Sequence, residues 1–224
     1  MVYNNIIGGV FVSRPNRFIA MVEVNSVVEV CHVKNTGRCR ELLIPGVKVI
    51  LQKSDNPERK TKFDLIAVYK GDKLINIDSQ APNKVFKEWA SSFYGNTALI
   101  KSEVKYKNSR FDFYIEANGR KIFTEVKGVT LENDGVMMFP DAPTERGVRH
   151  LRELCDCVSE GYDANVFFIV QMGGGKYFTP NANTHSEFAR SLFYARKCGV
   201  GIYCVNCAVT ENTLEINDFL DVVL

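Results

Sequence analysis

Short apolar segments separated by turn-forming residues dominate the first 80 residues of the chain. Five of these segments are rich in Val, Ile and Phe and have the length of strands. They are Phe18–Val24, Val27–Val33, Val47–Gln52, Phe63–Tyr69 and Leu74–Ile77. Turn formers lie between them, as at 35–37, 45–46 and 71–72. Five short strands in this length predict a small closed barrel, with an OB-fold as the first choice and an SH3-like barrel as the alternative.

The pattern becomes helical after residue 83. Apolar residues recur at three- and four-residue intervals from 85 to 93, which predicts a helix from Lys84 to Phe93. The change from strands to a helix marks a domain boundary. We therefore expect an OB-fold-like nucleic-acid-binding domain at 1–80 and a second domain at 81–224.

Predicted strands and helices alternate in the second domain. The strands are Phe111–Ile115, Ile122–Val126, Asn165–Met172 and Val200–Val205, and the helices are Thr144–Glu160 and Glu187–Lys197. The third of these strands is almost wholly apolar, as expected of a central strand that is buried on both faces. The pattern predicts an α/β domain on a mixed sheet.

Charge and cysteine content narrow the class of protein. Residues 1–80 carry 12 Lys and Arg against 8 Asp and Glu, whereas residues 81–224 carry 16 against 18. The mildly basic front half suits a phosphate backbone, although solvated surface charge explains it equally well. Seven cysteines without a disulfide-scaffold spacing favour reduced thiols. With no membrane-spanning run and no signal peptide, we expect a soluble, cytoplasmic protein.

An Asn-Gly pair predicts a hairpin in the middle of the chain. Asn118 and Gly119 are flanked by alternating apolar residues, and both central positions of a type I′ turn need a positive φ. A two-residue turn here sets Ala117 opposite Arg120. The same register sets Asp112 opposite Glu125, with Lys127 on the same face because it lies two residues further along.

The hairpin register predicts a metal site. One face is expected to be a core face, with Phe111, Phe113, Ile115, Ile122 and Val126. The other face carries Asp112, Glu125 and Lys127. Two directly opposed carboxylates repel each other, and a bound Mg²⁺ or Mn²⁺ would offset that repulsion. The alternative is a solvated strand edge, because Glu-x-Lys alone is a trivial match.

The expected chemistry is metal-assisted hydrolysis of a phosphodiester. Asp112 and Glu125 would hold the metal, and Lys127 would orient a water or stabilise developing charge. Glu103 lies just upstream and is an accessory candidate, for which a salt bridge is the favoured interpretation.

Two clusters of basic residues are candidates for nucleic-acid binding. In the barrel they are Arg14, Arg17, Lys34, Arg38 and Arg40, although few aromatic residues lie near them in sequence. At the start of the long helix, Arg146 and Arg149 would lie where backbone amides attract phosphate. Glu145 is an accessory candidate there, and a structural role is favoured for His150. The Gly-Gly-Gly-Lys run at 173–176 lacks the spacing of a P-loop.

Several motifs resemble one known family over nearly the whole chain. They are EVKGVTL at 125–131, FPDAPTERG at 139–147 and RHL at 149–151, with HVKNTGR at 32–38 and LLIPG at 42–46 in the front half. These motifs resemble the sugar fermentation stimulation protein family. The resemblance implies an N-terminal OB-fold and a PD-(D/E)xK nuclease-like domain. It also implies nonspecific DNA binding and, in bacteria, regulation of sugar utilisation genes.

The resemblance carries over to individual residues. Asp112 matches the aspartate of the nuclease motif, Glu125 and Lys127 match its Glu-x-Lys, and Gln171 matches a polar position often found near such sites. Phe111 stands where the superfamily has its proline. Two hypotheses follow: a Mg²⁺- or Mn²⁺-dependent nuclease, and a non-catalytic DNA-binding regulator. DNA, single-stranded DNA included, is the expected partner, RNA stays open, and the sequence does not define the oligomeric state.

Overall fold

The computed structural model describes residues 1–35, 37 and 39–224. The chain forms two compact units. The first comprises Met1–Ala81, Gln171–Gly173 and Cys207–Glu215, and the second comprises Pro82–Val170, Gly174–Asn206 and Ile216–Leu224. The first unit is therefore built from three separate stretches of chain.

The first unit contains a closed barrel. Its strands are β1 (Ile6–Asn16), β2 (Ile19–Val24), β3 (Val27–Val33), β4 (Lys48–Lys53), β5 (Phe63–Lys70) and β6 (Lys73–Asn76). Strand β1 pairs with β2 and β4, β5 pairs with β4 and β3, and β2 pairs with β3, so that β1–β5 form a ring. Strand β6 adds to β5 outside this ring. The predicted five-stranded barrel is confirmed.

The strands that form the ring are not all the predicted ones. The five predicted strands correspond to β2–β6, whereas the strand that closes the barrel is β1, which sequence patterning missed. Two glycines at 8 and 9 and the polar run from Ser13 to Asn16 give β1 the composition of a turn. Its pairing with β2 is also irregular between Phe11 and Ser13 and again up to Asn16, and this irregularity removes the alternation that reveals a strand.

Two adjacent glycines of β1 give a matched test of its packing. A Cβ on Gly9 would lie 2.6 Å from Val22 Cγ1 and 2.9 Å from the Glu23 carbonyl oxygen, whereas a Cβ on Gly8 would meet nothing within 4 Å. Because a backbone atom cannot yield cheaply, we expect Gly9→Ala to lower the free energy of unfolding by about 1–3 kcal/mol. Gly8→Ala is the control and should change it far less. Urea denaturation measures both, and equal effects would contradict this account of β1.

A nine-stranded mixed sheet underlies the second unit. Its strands are β7 (Leu99–Tyr106), β8 (Ser109–Ala117), β9 (Arg120–Val129), β10 (Leu131–Asn133), β11 (Val136–Phe139), β12 (Asp163–Val170), β13 (Tyr177–Pro180), β14 (Gly201–Val209) and β15 (Leu214–Val222). They lie in the order β10-β11-β13-β15-β14-β12-β9-β8-β7. Strand β12 runs parallel to both β9 and β14. The predicted mixed α/β class is confirmed.

In the part of the chain that the structure describes, three helices cover the two faces of this sheet. They are α1 (Ala81–Tyr94), α2 (Glu145–Ser159) and α3 (Ser186–Lys197). Phe86 of α1 packs on Phe167, whereas the next residue, Phe168, packs towards Phe188 of α3. Adjacent strand residues point to opposite faces, so α1 lies on one face and α3 on the other. Within the described ranges, no helix is long and apolar enough to span a bilayer.

Candidate functional site

The predicted hairpin is present with the predicted turn. Asn118 has φ 52° and Gly119 has φ 75°, as a type I′ turn requires. The backbone pairing runs from Ala117 opposite Arg120 to Phe113 opposite Thr124. From Ala117 to Phe113 the register of the hairpin is therefore the one expected from the sequence, whereas the predicted pair of Asp112 and Glu125 lies beyond the last backbone pair.

The alternation of strand β8 breaks next to Asp112. Phe113 packs on Phe86 of α1, with ring centroids 4.9 Å apart. Phe111 instead packs on Phe123 and lies 6.0 Å from the ring of His150 on α2. Residues two apart in a regular strand share a face. The prediction that Phe111 shares a core face with Phe113 is therefore wrong.

The Asp112 side chain takes over part of the backbone pairing at this break. Its Oδ2 accepts a hydrogen bond from the Val126 amide at 2.8 Å, and its Oδ1 accepts one from Asn83 Nδ2 at 2.8 Å. Burial and the nearby charge of Glu125 raise the pKa of Asp112, against the opposing effects of these donors and of Lys127. The two predicted carboxylates are thus close enough to influence each other.

Glu125 is 2% exposed, and its two oxygens differ in their contacts. Oε1 accepts hydrogen bonds from Lys127 Nζ and from His150 Nδ1. Oε2 is also buried, but it has no hydrogen-bond partner among the described residues. Burial alone would raise the pKa of Glu125, but Lys127 and His150 outweigh it and hold that pKa below its ordinary value. Glu125 is therefore ionised, with one oxygen unpartnered.

His150 joins this centre from helix α2, which the sequence did not anticipate. Its side chain is 2% exposed, and its Nε2 accepts a hydrogen bond from Arg146 Nε at 3.3 Å. A spacing of four residues places Arg146 and His150 on one face of the helix. That spacing was the sequence signal that pairs Arg146 with His150. The pattern of the strands could not show that this face of the helix contacts Glu125.

The start of α2 explains part of the motif at 139–147. Thr144 caps the helix, since its Oγ1 accepts a hydrogen bond from the Gly147 amide at 3.1 Å. A Cβ on Gly147 would lie 2.9 Å from Thr144 Cγ2 and 3.1 Å from Phe188 Cε2. Only glycine fits this close approach of α2 and α3, and the cap and the glycine together fix where His150 lies.

The accessory candidates have separate surroundings. Glu103 is exposed and pairs with Arg110 at 3.5 Å, in line with the favoured salt bridge. Glu145 is exposed, and its Oε1 lies 3.4 Å from His185 Nε2. Gln171 belongs to the first unit, where its amide donates to Asn76 Oδ1 and to the Asp78 carbonyl oxygen. Hydrogen bonding thus anchors Gln171 to the end of the barrel strands.

Ligand atoms of Glu145, His185 and Glu187 lie within 4.8 Å of one another. Each of the three has a protein partner, however. Glu145 Oε1 lies beside His185 Nε2, His185 Nδ1 accepts a hydrogen bond from the Thr144 amide, and Glu187 accepts one from Arg152. With Nδ1 accepting, the ring proton of a neutral His185 lies on Nε2, which is the atom that faces Glu145. This group therefore resembles a set of satisfied polar contacts more than a metal site.

Two of the basic residues predicted in the barrel are engaged within it. The Arg14 guanidinium donates to the carbonyl oxygens of Asn35, Gly37 and Arg17. Lys34 Nζ lies 3.2 Å from Asp64 Oδ2 and 3.6 Å from Asp78 Oδ2, and both carboxylates are buried. These two cations shape the loop after β3 and neutralise buried charge.

The remaining basic candidates face solvent or lie outside the described residues. Arg17 is exposed, and its guanidinium carbon lies 5.0 Å from the centroid of the Phe18 ring, which is 45% exposed. Arg40, Arg146 and Arg149 are also exposed. Arg38 lies outside the described residues, so its role stays a prediction.

Comparison with known proteins gives consistent matches over the whole chain. Residues 12–77 match the family described as the SfsA N-terminal OB domain, and residues 80–213 match the sugar fermentation stimulation protein RE domain. A sugar fermentation stimulation protein homolog of Clostridium beijerinckii is 60% identical over 226 residues, covering 100% of both chains. A homolog of Desulfitobacterium hafniense is 60% identical, covering 100% of this chain and 99% of the relative.

A solved structure has the same fold. It is that of Pyrococcus furiosus SfsA in complex with Ca²⁺, which is 26% identical with a TM-score of 0.91. The match covers 100% of this chain and 98% of that chain. Both units described above are therefore found in a protein of distant sequence.

Proposed function

The chain belongs to the family of sugar fermentation stimulation proteins, and from this membership we propose that it binds DNA and carries a divalent-metal-dependent phosphodiesterase site. Asp112, Glu125 and Lys127 form that site in the second unit. The cation is Mg²⁺ or Mn²⁺, and the substrate is a nucleic acid backbone.

One observation carries the metal proposal: Glu125 Oε2 is buried and has no hydrogen-bond partner in the described part of the chain. Leaving such an oxygen without a donor costs roughly 1–3 kcal/mol or more, because the atom has lost its water. Carboxylate oxygens are the ligands that hard divalent cations prefer. The Pyrococcus furiosus protein is described in complex with Ca²⁺, another hard cation. This supports the proposal that a hard divalent cation binds here.

The residues present would divide the work between holding the cation and handling the substrate. Asp112 and Glu125 would hold the cation, which when bound supplies Lewis-acid stabilisation for phosphodiester hydrolysis. Lys127 Nζ adjoins Glu125 Oε1, so its positive charge stays beside the site and would stabilise negative charge on the reacting phosphate. Arg146 and Arg149, on the first turns of α2, would contact the flanking phosphates.

DNA binding by the first unit would rest on its exposed cations. Arg17 with the adjacent Phe18 ring offers a charge for a phosphate and a ring for a base, and Arg40 offers a second charge. Arg14 and Lys34 would act indirectly, by holding the loop in place. Affinity should fall steeply as salt is added, because phosphate contacts release counterions.

A non-catalytic DNA-binding regulator is the second candidate. The observation in its favour is that Lys127 and His150 already donate hydrogen bonds to Glu125 Oε1, and both Asp112 oxygens already accept hydrogen bonds. With three of the four carboxylate oxygens held by its own residues, the site could persist for stability alone. In that case the chain would bind DNA with the same salt dependence but would not cleave it.

Metal-dependent cleavage distinguishes the two candidates. Wild type is incubated with single- and double-stranded DNA and RNA in Mg²⁺ or Mn²⁺, beside a sample with EDTA and beside Lys127→Ala. We expect EDTA to abolish cleavage and Lys127→Ala to slow it by roughly 10²–10³-fold. Lys121→Ala, an exposed lysine of the same strand, is the matched control and should cleave normally.

Two results would go against the nuclease proposal. Salt-dependent binding without cleavage in either metal would favour the regulator. Cleavage that Lys127→Ala leaves unchanged would remove this residue set from the reaction.

All seven cysteines are thiols, none of them in a disulfide. We propose the cytoplasm, a reducing compartment, as the place where the protein acts.

A further inference from the structure

The orientation of the Glu125 carboxylate is controlled from helix α2. Oε1 accepts hydrogen bonds from Lys127 Nζ and His150 Nδ1, whereas Oε2 has no partner among the residues that the structure describes. A carboxylate can rotate about the bond that joins it to the rest of the side chain. Two donors held to the same oxygen fix this rotation and leave the other oxygen, Oε2, as the available ligand.

The second nitrogen of His150 determines where the ring proton lies. His150 Nε2 lies 3.3 Å from Arg146 Nε, and an arginine side chain has only N–H donors and no acceptor. Nε2 must therefore accept, so the proton lies on Nδ1 and is donated to Glu125. Arg146 thus selects the tautomer in which His150 can hold the carboxylate.

We infer that His150 is a positioning residue that presents Glu125 Oε2 to the divalent cation, with Arg146 fixing its tautomer. This inference rests on the proposed metal site and deepens it. His150 and Glu125 are each 2% exposed, so bulk water does not reach this pair in the folded protein. Partners that orient a metal ligand in this way typically change metal affinity by about 10–100-fold when they are lost.

Three substitutions separate this role from simple packing. His150→Ala removes the donor. His150→Asn keeps an N–H group close to the position of Nδ1, where it can still reach Glu125. His150→Gln places its N–H group near the position of Nε2, towards Arg146, and so has a donor in the wrong place. If packing alone mattered, the larger Gln would be the better replacement, because it fills more of the space of the ring.

The test is the binding of Mn²⁺ alone to the full chain, measured by titration calorimetry, with thermal unfolding followed by circular dichroism. We expect His150→Ala and His150→Gln to weaken binding by at least about tenfold, and His150→Asn to stay within about threefold of wild type. Glu125→Gln gives the baseline for loss of this site. If His150→Ala fails to fold, the contrast between Asn and Gln still decides the matter.

Each further outcome has one meaning. If wild type binds Mn²⁺ and all three histidine variants bind it equally well, His150 does not position Glu125, and the metal site stands without it. If Gln and Asn bind Mn²⁺ equally tightly but both more weakly than wild type, the role of His150 is packing. If wild type itself binds no Mn²⁺ at this site, the metal proposal fails, and this inference fails with it.

Discussion

Glu125→Gln is expected to abolish metal-dependent cleavage, with a loss on the order of a thousandfold or more. The substitution keeps the shape of the side chain and keeps one oxygen that can accept hydrogen bonds from Lys127 and His150. It removes the negative charge and places an amide NH₂ where the unpartnered Oε2 lies. An amide nitrogen with its two hydrogens cannot bind a cation, so both metal affinity and turnover should be lost.

The measurement is Mn²⁺ binding and DNA cleavage by the same preparation, with thermal unfolding to show that the fold persists. Glu116→Gln is the matched control, because Glu116 lies on the neighbouring strand β8 and hydrogen-bonds to the Tyr114 hydroxyl. It should leave both properties unchanged. Retention of full activity by Glu125→Gln would show that Glu125 does not bind the catalytic metal.

Asp64→Asn is expected to cost about 3–5 kcal/mol of folding free energy at neutral pH. The Asp64 carboxylate is buried and accepts hydrogen bonds from Arg59 and His32, and Lys34 Nζ lies 3.2 Å away. Burial alone would raise its pKa, but these three partners together hold it far below its ordinary value. An asparagine would leave the Lys34 and Arg59 charges in place without their counterion.

The same group sets the sign of the pH dependence. Because the pKa of Asp64 is lower in the folded state, its contribution is fully present above the unfolded value, about 3.9, and is lost as the pH falls towards the folded value. Wild type should therefore lose stability in acid more steeply than Asp64→Asn does, and the gap between them should narrow. Asp72→Asn, in the exposed β5–β6 turn, should stay within about 0.5 kcal/mol of wild type throughout.

Urea denaturation at a series of pH values measures this gap. A constant difference between Asp64→Asn and wild type from pH 7 to pH 3 would mean that Asp64 stabilises the barrel by packing and not by its charge. An effect no larger than that of Asp72→Asn would mean that the buried ion pairs make no net contribution to the free energy of unfolding, as is found for some buried pairs.

Local signals were sufficient to predict much of the fold and the part of the site that lies on the hairpin. The Asn118-Gly119 turn set the hairpin register correctly because its chemistry is local and its alternatives are few. Helix α2 was predicted to within one residue at each end, since Thr144 caps it and Gly161 follows with φ 87°. Strand β12 was recognised by its continuous apolar run.

Other features depend on contacts that no local pattern encodes. Strands β10, β11 and β13 are three or four residues long, and β15 carries exposed charges at Glu215, Asp218 and Asp221, so none of them has a clear apolar period. The break at Asp112 arises because its side chain accepts the Val126 amide hydrogen bond. The contact of His150 with Glu125 joins a helix to a strand 25 residues away, and the sequence has no period on that scale.

The three-part make-up of the first unit affects the order in which the chain can fold during synthesis. Its barrel strands leave the ribosome first, but Gln171, which bonds to Asn76 and Asp78, follows about a hundred residues later. The Asn212 carbonyl oxygen, which accepts from the Tyr3 amide, is made later still. At about 5–20 residues per second, the nascent barrel waits on the order of ten seconds for these partners. The first unit is therefore completed only after most of the second unit has been made.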